Sequence, residues 1–480
     1  MAVNPQGLLL DGQWIPGKGP QIAVIDKYRL EPGAQIAAAD REQVAHAVAS
    51  AHAAYRAGAP APFERGAVLE RAAGLMEGRL DEFVRTMQME AGFTASDATG
   101  EVRRCIQTLK LSAEEARRLA GDVIPISGAP QQSGRIGFTL RVPLGVVVAI
   151  TPFNSPLNTV AHKIGPAFAA GNAVILKPAS ATPFTACKLA EVLLEAGMPR
   201  GFLSILAGGA QVAEWLIADE RVRFFAFTGS TEVGRKIQQG AGLRRTQMEL
   251  GSIACTILCD DANLDAALPK VINASYRKAG QVCTSIQLLL VQKEILDLVQ
   301  SRLAKLVAAL PYGDPRDEKT VVGPLISEQE AIRVETWIAE AIAKGAKRLA
   351  GGGARKGSVV PPVLLSAIDD SMKVGCREVF GPVLCIVPFD TLDQAIARVN
   401  ATPFGLASGI FTNRLDDALR AARQLEVGGV HINETSSSRV DLMPYGGSKD
   451  SGFGREGPRY AVHEMTEERI VTITLSQQGN

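Results

Sequence analysis

Val146-Val147-Val148-Ala149-Ile150-Thr151-Pro152-Phe153-Asn154 is the stretch on which the fold turns. An apolar run of strand length that ends at Thr-Pro predicts a strand, and its sequence neighbours decide which kind. Further strands are predicted at 173–176, 202–206, 223–227 and 247–250. Helical periods lie between them near 160–170, 184–196, 210–218 and 231–240. Regular strand and helix alternation predicts a parallel sheet covered by helices, an α/β nucleotide-domain pattern. Ligands of such sheets bind beyond the carboxyl ends of the strands, so the residues just after each strand are the ones that matter.

Outward from this unit, residues 8–16 alternate around Asp11-Gly12, a hairpin signal at a domain edge. Between 40 and 120, apolar residues recur at helical spacing, as in Val44, Val48, Ala51, Ala54 and Leu69, Ala72, Leu75, Met76. These amphipathic helices are expected to pack on the later sheet. Residues 127–134 read as an exposed turn, and 136–143 as an edge strand. A second edge strand is expected at 469–475, and paired exposed strands of this kind suggest oligomerisation. Beyond 260 a second α/β unit is expected, with helices at 264–278, 293–309 and 328–344 and strands at 360–365 and 384–388.

The 480 residues suffice for more than one domain. Lys and Arg total 51 against 50 Asp and Glu, a net charge of +1 that draws the chain neither to nucleic acid nor to a membrane. A small-molecule partner is expected. The seven cysteines, at 105, 187, 255, 259, 283, 376 and 385, show neither a secreted disulfide framework nor zinc spacing. That usage points to a reducing cytoplasm and to no metal. The opening residues 1–7 lack a signal-peptide pattern, and no apolar run is long enough to span a bilayer.

The chemistry-bearing residues sit just past the strands. Asn154 after the first is a neutral donor suited to an oxyanion, or else a helix cap. Lys177 and Ser180 after the second could bond ribose or phosphate, or form an exposed loop. Phe227-Thr228-Gly229-Ser230-Thr231-Glu232-Val233-Gly234 after the fourth opens a helix whose N-H groups suit a pyrophosphate, although its GxxxxG spacing is not the GxGxxG fingerprint. Glu249 after the fifth could serve as a general base. Ala279-Gly280-Gln281-Val282-Cys283-Thr284-Ser285 places one cysteine behind a glycine turn without a CxxC partner. Such a thiol suits a nucleophile, and a helix N-terminus or a cationic cofactor nearby would favour its thiolate.

Together with Glu378-Val379-Phe380-Gly381-Pro382 and Pro444-Tyr445-Gly446-Gly447-Ser448-Lys449-Asp450-Ser451-Gly452, these stretches resemble the aldehyde dehydrogenase superfamily in order and separation, over nearly the whole chain. The resemblance implies a Rossmann-type cofactor domain at 1–122 and 145–250, an α/β catalytic domain at 251–445, and oligomerisation strands at 123–144 and 460–480. It implies Cys283 as nucleophile, Asn154 with the Cys283 N-H as oxyanion hole, and Glu249 as activator of the deacylating water. Thr151, Pro152, Phe153, Lys177, Ser180, Gly229, Ser230, Gly234, Glu378 and Phe380 are the implied contacts of NAD or NADP. A homodimer or homotetramer is implied as well.

The chain departs from the family pattern at Ser252, where glycine is frequent, at Phe153, where tryptophan is frequent, and at Ser180, where many strict NAD users carry glutamate. A carboxylate at 180 would repel a 2'-phosphate, so its absence leaves NADP admissible. The segments around Arg104, His162 and Arg439 look like those of branches acting on lactaldehyde, phosphonoacetaldehyde or succinic semialdehyde, in which cations would hold an anionic tail. The same residues could equally be a solvated helix arginine, a satisfied helix histidine and a loop charge. A coenzyme A-acylating dehydrogenase shares the fold, but such branches usually lack the glutamate at 249. A non-catalytic binding protein and a cofactor-free cysteine hydrolase are further alternatives.

Overall fold

The computed structural model describes residues 7–474. The Val146–Ile150 strand is buried along its whole length in the middle of an eight-stranded sheet. The Ala173–Lys177 and Leu203–Ile205 strands flank it on one side, and the Val222–Thr228 and Arg245–Glu249 strands on the other. Pairing among these strands is parallel, with Ile150 level with Lys177 and with Phe227, and Thr228 level with Glu249. The strand order therefore reverses between Val146–Ile150 and Val222–Thr228, and the crevice for a ligand opens there. Helices on both faces explain why these strands are apolar without alternation.

The Asp11-Gly12 hairpin forms as expected, pairing Leu9 with Trp14, and it extends the sheet edge beyond Leu203–Ile205. Four helices, Arg41–Ala57, Pro62–Glu77, Leu80–Glu90 and Ala95–Arg118, supply the amphipathic segment before the sheet. Asp40 caps the first of them in a capping box with Gln43.

The second unit carries a seven-stranded sheet, richer than the sequence pattern indicates. The strands Ala254–Leu258, Ile286–Gln292, Lys347–Gly351, Ala407–Phe411 and Gly429–Ile432 are additional to those expected. Buried on both faces, Ala254-Cys255-Thr256-Ile257-Leu258 and Ala407-Ser408-Gly409-Ile410-Phe411 mix small and hydroxyl residues with few large ones. They show neither alternation nor a long apolar run. Two separate apolar cores result, one built from residues up to Leu250 with Val462 and Met465, the other from Ile253 to Leu425.

The Arg135–Pro143 strand pairs antiparallel with Thr466–Thr474 over nine residues, and Val123–Ile124 adds a short third strand. Residues 460–464, expected in the terminal strand region, instead belong to a helix, Pro458–Glu464, whose Val462 joins the first core. Residues 475–480, like the opening residues 1–6, lie outside the described part of the chain. No described helix is long and apolar enough to cross a membrane.

Candidate active site

A cleft of about 680 Å³ opens at the strand ends, and Thr151, Phe153, Asn154, Glu249, Cys283 and Phe380 are among its walls. Gly229 and Ser230 lie on it too, at the start of helix Thr231–Ala241, where Ser230 caps the helix by accepting from the Val233 N-H. The helix N-terminus thus presents main-chain donors to the cleft. Phe153 and Phe380 meet edge to face, with ring centroids 5.9 Å apart.

Glu378 accepts a 2.8 Å hydrogen bond from the Ser252 N-H, and burial raises its carboxyl to about 7. Lys177 ends its strand almost wholly buried, and burial lowers its ammonium to about 8. Ser180 donates to the Gly208 carbonyl, between Ala179 and Ala181 on the cleft wall. Gly234 lies away from the cleft: a Cβ there would overlap the Leu250 side chain, so this glycine serves helix packing.

Cys283 is a free, half-buried thiol. It stands not at a helix N-terminus but in a turn that leads into strand Ile286–Gln292. Burial, reinforced by the nearby Glu249 charge, pushes the thiol well above its ordinary pKa. The turn is strained. Lys278, Ala279 and Gly280 have φ of +51°, +54° and +72°, and two of the three are not glycine. Each such non-glycine residue costs on the order of 1 kcal/mol. At Gly280 a Cβ would overlap the Gly381 carbonyl, which makes that position glycine by necessity.

Asn154 does not cap the next helix, which begins at Asn158 behind Leu157. Its Nδ2 donates 2.9 Å to the Gln281 carbonyl, in the same turn as Cys283. The Lys278 ammonium binds the Asn154 carbonyl at 3.0 Å and Glu101 at 2.8 Å, and sits 4.3 Å from the Phe93 ring centroid. Glu249 is buried, and its carboxyl is raised above the usual carboxylate range by burial and by the Glu456 charge.

Sequence reasoning missed three participants. Tyr445 Oη lies 3.0 Å from Cys283 Sγ. Glu456, itself bound by Lys163 at 2.9 Å, holds Arg439 at 3.0 Å, and the Arg439 guanidinium stacks 3.7 Å from the Tyr445 ring centroid. Arg277, partly buried, donates to Ser437 Oγ at 2.9 Å. Only Tyr445 left a trace in sequence, inside the motif that runs from Pro444 to Gly452.

The three residues expected to hold an anionic tail separate in the structure. Arg104 and Arg439 line a cavity of about 260 Å³ with Lys270, Arg277 and Ser437. Of its charged walls Glu434 is the acidic one, and Lys270 neutralises it. His162 is not on this wall. It is buried behind Asp441, at 2.8 Å, and Asp441 in turn binds Arg104 at 2.6 Å. The histidine therefore orients the carboxylate that holds the arginine. Ser437 hydrogen-bonds Thr284, the residue after Cys283, at 3.0 Å, so the cavity and the Cys283 turn share a wall.

A thiol, an amide donor and a buried carboxylate around one cleft suit acyl chemistry on a carbonyl, and residues 14–471 match the aldehyde dehydrogenase family. The chain belongs to the aldehyde dehydrogenase family. This aldehyde dehydrogenase is 45% identical to 3-sulfolactaldehyde dehydrogenase of Priestia aryabhattai, across 98% of its own length and 99% of the relative's. It superposes on aldehyde dehydrogenase 21 from Physcomitrella patens, solved in complex with the reaction product succinate, with a TM-score of 0.95. The identity is 36%, and 99% and 100% of the two chains are covered. A glyceraldehyde-3-phosphate dehydrogenase from Methanocaldococcus jannaschii complexed with NADP matches at a TM-score of 0.91. It is 36% identical, over 95% of this chain and 99% of that one.

Proposed function

We propose that this NAD(P)-dependent aldehyde dehydrogenase oxidises a small aldehyde that carries an anionic tail, a sulfonate or a carboxylate. The observation that carries the reading is the cavity of Arg104, Arg277 and Arg439 abutting the Cys283 loop. Arg104 and Arg439 are already paired with Asp441 and Glu456, while Arg277 meets the Ser437 hydroxyl and no carboxylate, so an anionic tail would find its charge-assisted partner first at Arg277. The 3-sulfolactaldehyde and succinate named for the relatives carry such tails.

The cleft fits a dinucleotide: its size, its aromatic pair and the open helix N-terminus accommodate ring, ribose and pyrophosphate. Phe153, Gly229, Ser230, Glu378 and Phe380 would hold it, with Lys177 and Ser180 beside the ribose, and NADP is admitted where Ser180 replaces a carboxylate. A bound nicotinamide would supply the redox step, accepting the aldehyde hydrogen with its two bonding electrons as hydride while the oxygen's electron pair re-forms the carbonyl of the Cys283 thioester. Cys283 attacks the carbonyl carbon, and the oxygen takes the electron pair and is met by Asn154 Nδ2 and the Cys283 N-H. Each such donor lowers the barrier by roughly 3 kcal/mol. Glu249 takes a proton from the water that attacks the thioester, and the acid leaves with the thiol restored.

Residues 1–122 and 145–250 serve the cofactor and 251–445 the chemistry. The exposed sheet at 123–144 and 466–474, with Leu140 and Ile470 on its open surface, serves pairing with further copies of the chain, as a dimer or tetramer. Its free cysteines suit a reducing cytoplasm. The test is cofactor reduction with anionic and neutral aldehydes, using NAD and NADP, in the wild type and in Arg277→Gln. The reading requires the variant to raise KM by about tenfold or more for the anionic substrate alone, the loss of one charge-assisted contact. An equal rise for both would remove it.

A further inference from the structure

Tyr445 stands between the two groups to which the proposed function assigns the chemistry. Its hydroxyl is 3.0 Å from Cys283 Sγ and 3.4 Å from Glu249 Oε1. The ring is 8% exposed and is fixed from above by the Arg439 guanidinium, which the Lys163 and Glu456 pair anchors in turn. A phenol oxygen accepts one hydrogen bond while giving another, so both contacts exist at once. When Glu249 is ionised its carboxylate only accepts, which fixes the direction in that form of the site. The thiol donates to Tyr445, and Tyr445 donates to Glu249.

We propose that Tyr445 is a catalytic residue that conducts the Cys283 proton to Glu249 and then holds the thiolate by its own O-H. The S-H bond breaks as the proton reaches Tyr445 Oη, while the phenol's original proton forms the new O-H bond on Glu249 Oε1. The phenol ends neutral, its hydrogen turned towards sulfur, and no electrons change hands between residues. Burial holds the phenol far above its ordinary pKa, so it passes the proton without resting as phenolate. The same two residues then serve in sequence, because Glu249 must give up this proton before it can act on water.

The proposal rests on Cys283 being the nucleophile, and the experiment keeps the two apart. The full-length enzyme is titrated with iodoacetamide between about pH 6 and pH 10, a range that brackets the ordinary thiol, and alkylation of the Cys283 peptide is followed by mass spectrometry. Tyr445→Phe keeps the ring beneath Arg439 and removes only the hydroxyl. Its alkylation is expected about tenfold slower than in wild type at every pH below the raised thiol midpoint, since a shift of one unit is a tenfold change in thiolate. Its melting temperature should stay near wild type. A wild-type alkylation profile in Tyr445→Phe overturns the proposal. Turnover that survives in Cys283→Ser overturns the underlying assignment instead.

Discussion

The backbone N-H of Ser252 donates to Glu378 Oε1 at 2.8 Å, tying the turn after Glu249 to another wall of the cleft proposed to hold the dinucleotide. The bond uses the main chain, so it does not depend on having glycine or serine at 252. Ser252→Gly should therefore retain kcat/KM within about twofold, whereas Ser252→Pro, which has no N-H to give, should lose most of its dinucleotide affinity. Binding titrations of both variants check this.

Glu378 also sets a pH dependence. Its folded carboxyl is raised from 4.5 to about 7, so the stability it favours is complete below about 4.5 and is lost as pH rises through about 7. Melting of the cofactor-free enzyme should fall across that window, and Glu378→Gln should flatten the fall by about 1–3 kcal/mol.

Asn154→Ala removes one donor to the developing oxyanion and should lower kcat by about 10²- to 10³-fold with little change in aldehyde KM. Steady-state kinetics decide, and an unchanged kcat would remove Asn154 from the oxyanion site.

Glu249→Gln should stall the enzyme after acylation. A single burst of reduced cofactor is expected, itself slower than in the wild type because the Cys283 proton has lost its acceptor, with later turnover slower still, by about 10²-fold or more. In the wild type, the deacylation rate should rise with pH up to a point above the ordinary carboxylate range, because burial and Glu456 hold the Glu249 proton on.

Lys163→Met strands Glu456, which then keeps Arg439 as its remaining charged partner. Leaving one member of a buried pair should destabilise the fold by about 3–5 kcal/mol, measurable in urea, and Lys163→Met with Glu456→Gln should recover part of the loss.

Much of the first sheet was legible because Val146-Val147-Val148-Ala149-Ile150 and its successors are apolar blocks separated by helices of ordinary length. That Asn154, Glu249 and Cys283 share one cleft was legible because they sit just after strands or behind a glycine turn, where such sheets open their crevice. Arg277 and Glu456 could not, since their meaning comes from partners at Ser437, Lys163 and Arg439 that only the tertiary fold supplies. His162 shows the converse. Its residue type suggested substrate contact, while its position behind Asp441 makes it a support. Gly234 looked like part of a phosphate loop, yet the constraint on it is the Leu250 side chain.

Biosynthesis meets the parts of the site in a fixed order. Cys283 leaves the ribosome well before Arg439, Tyr445 and Glu456, and the strand Thr466–Thr474, which closes on Arg135–Pro143, follows all of them. The nascent polypeptide thus carries its thiol without the tyrosine that contacts it. A message truncated before the Arg439 codon loses Arg439, Tyr445 and Glu456 together, and with them the contacts that surround Cys283 in the folded chain.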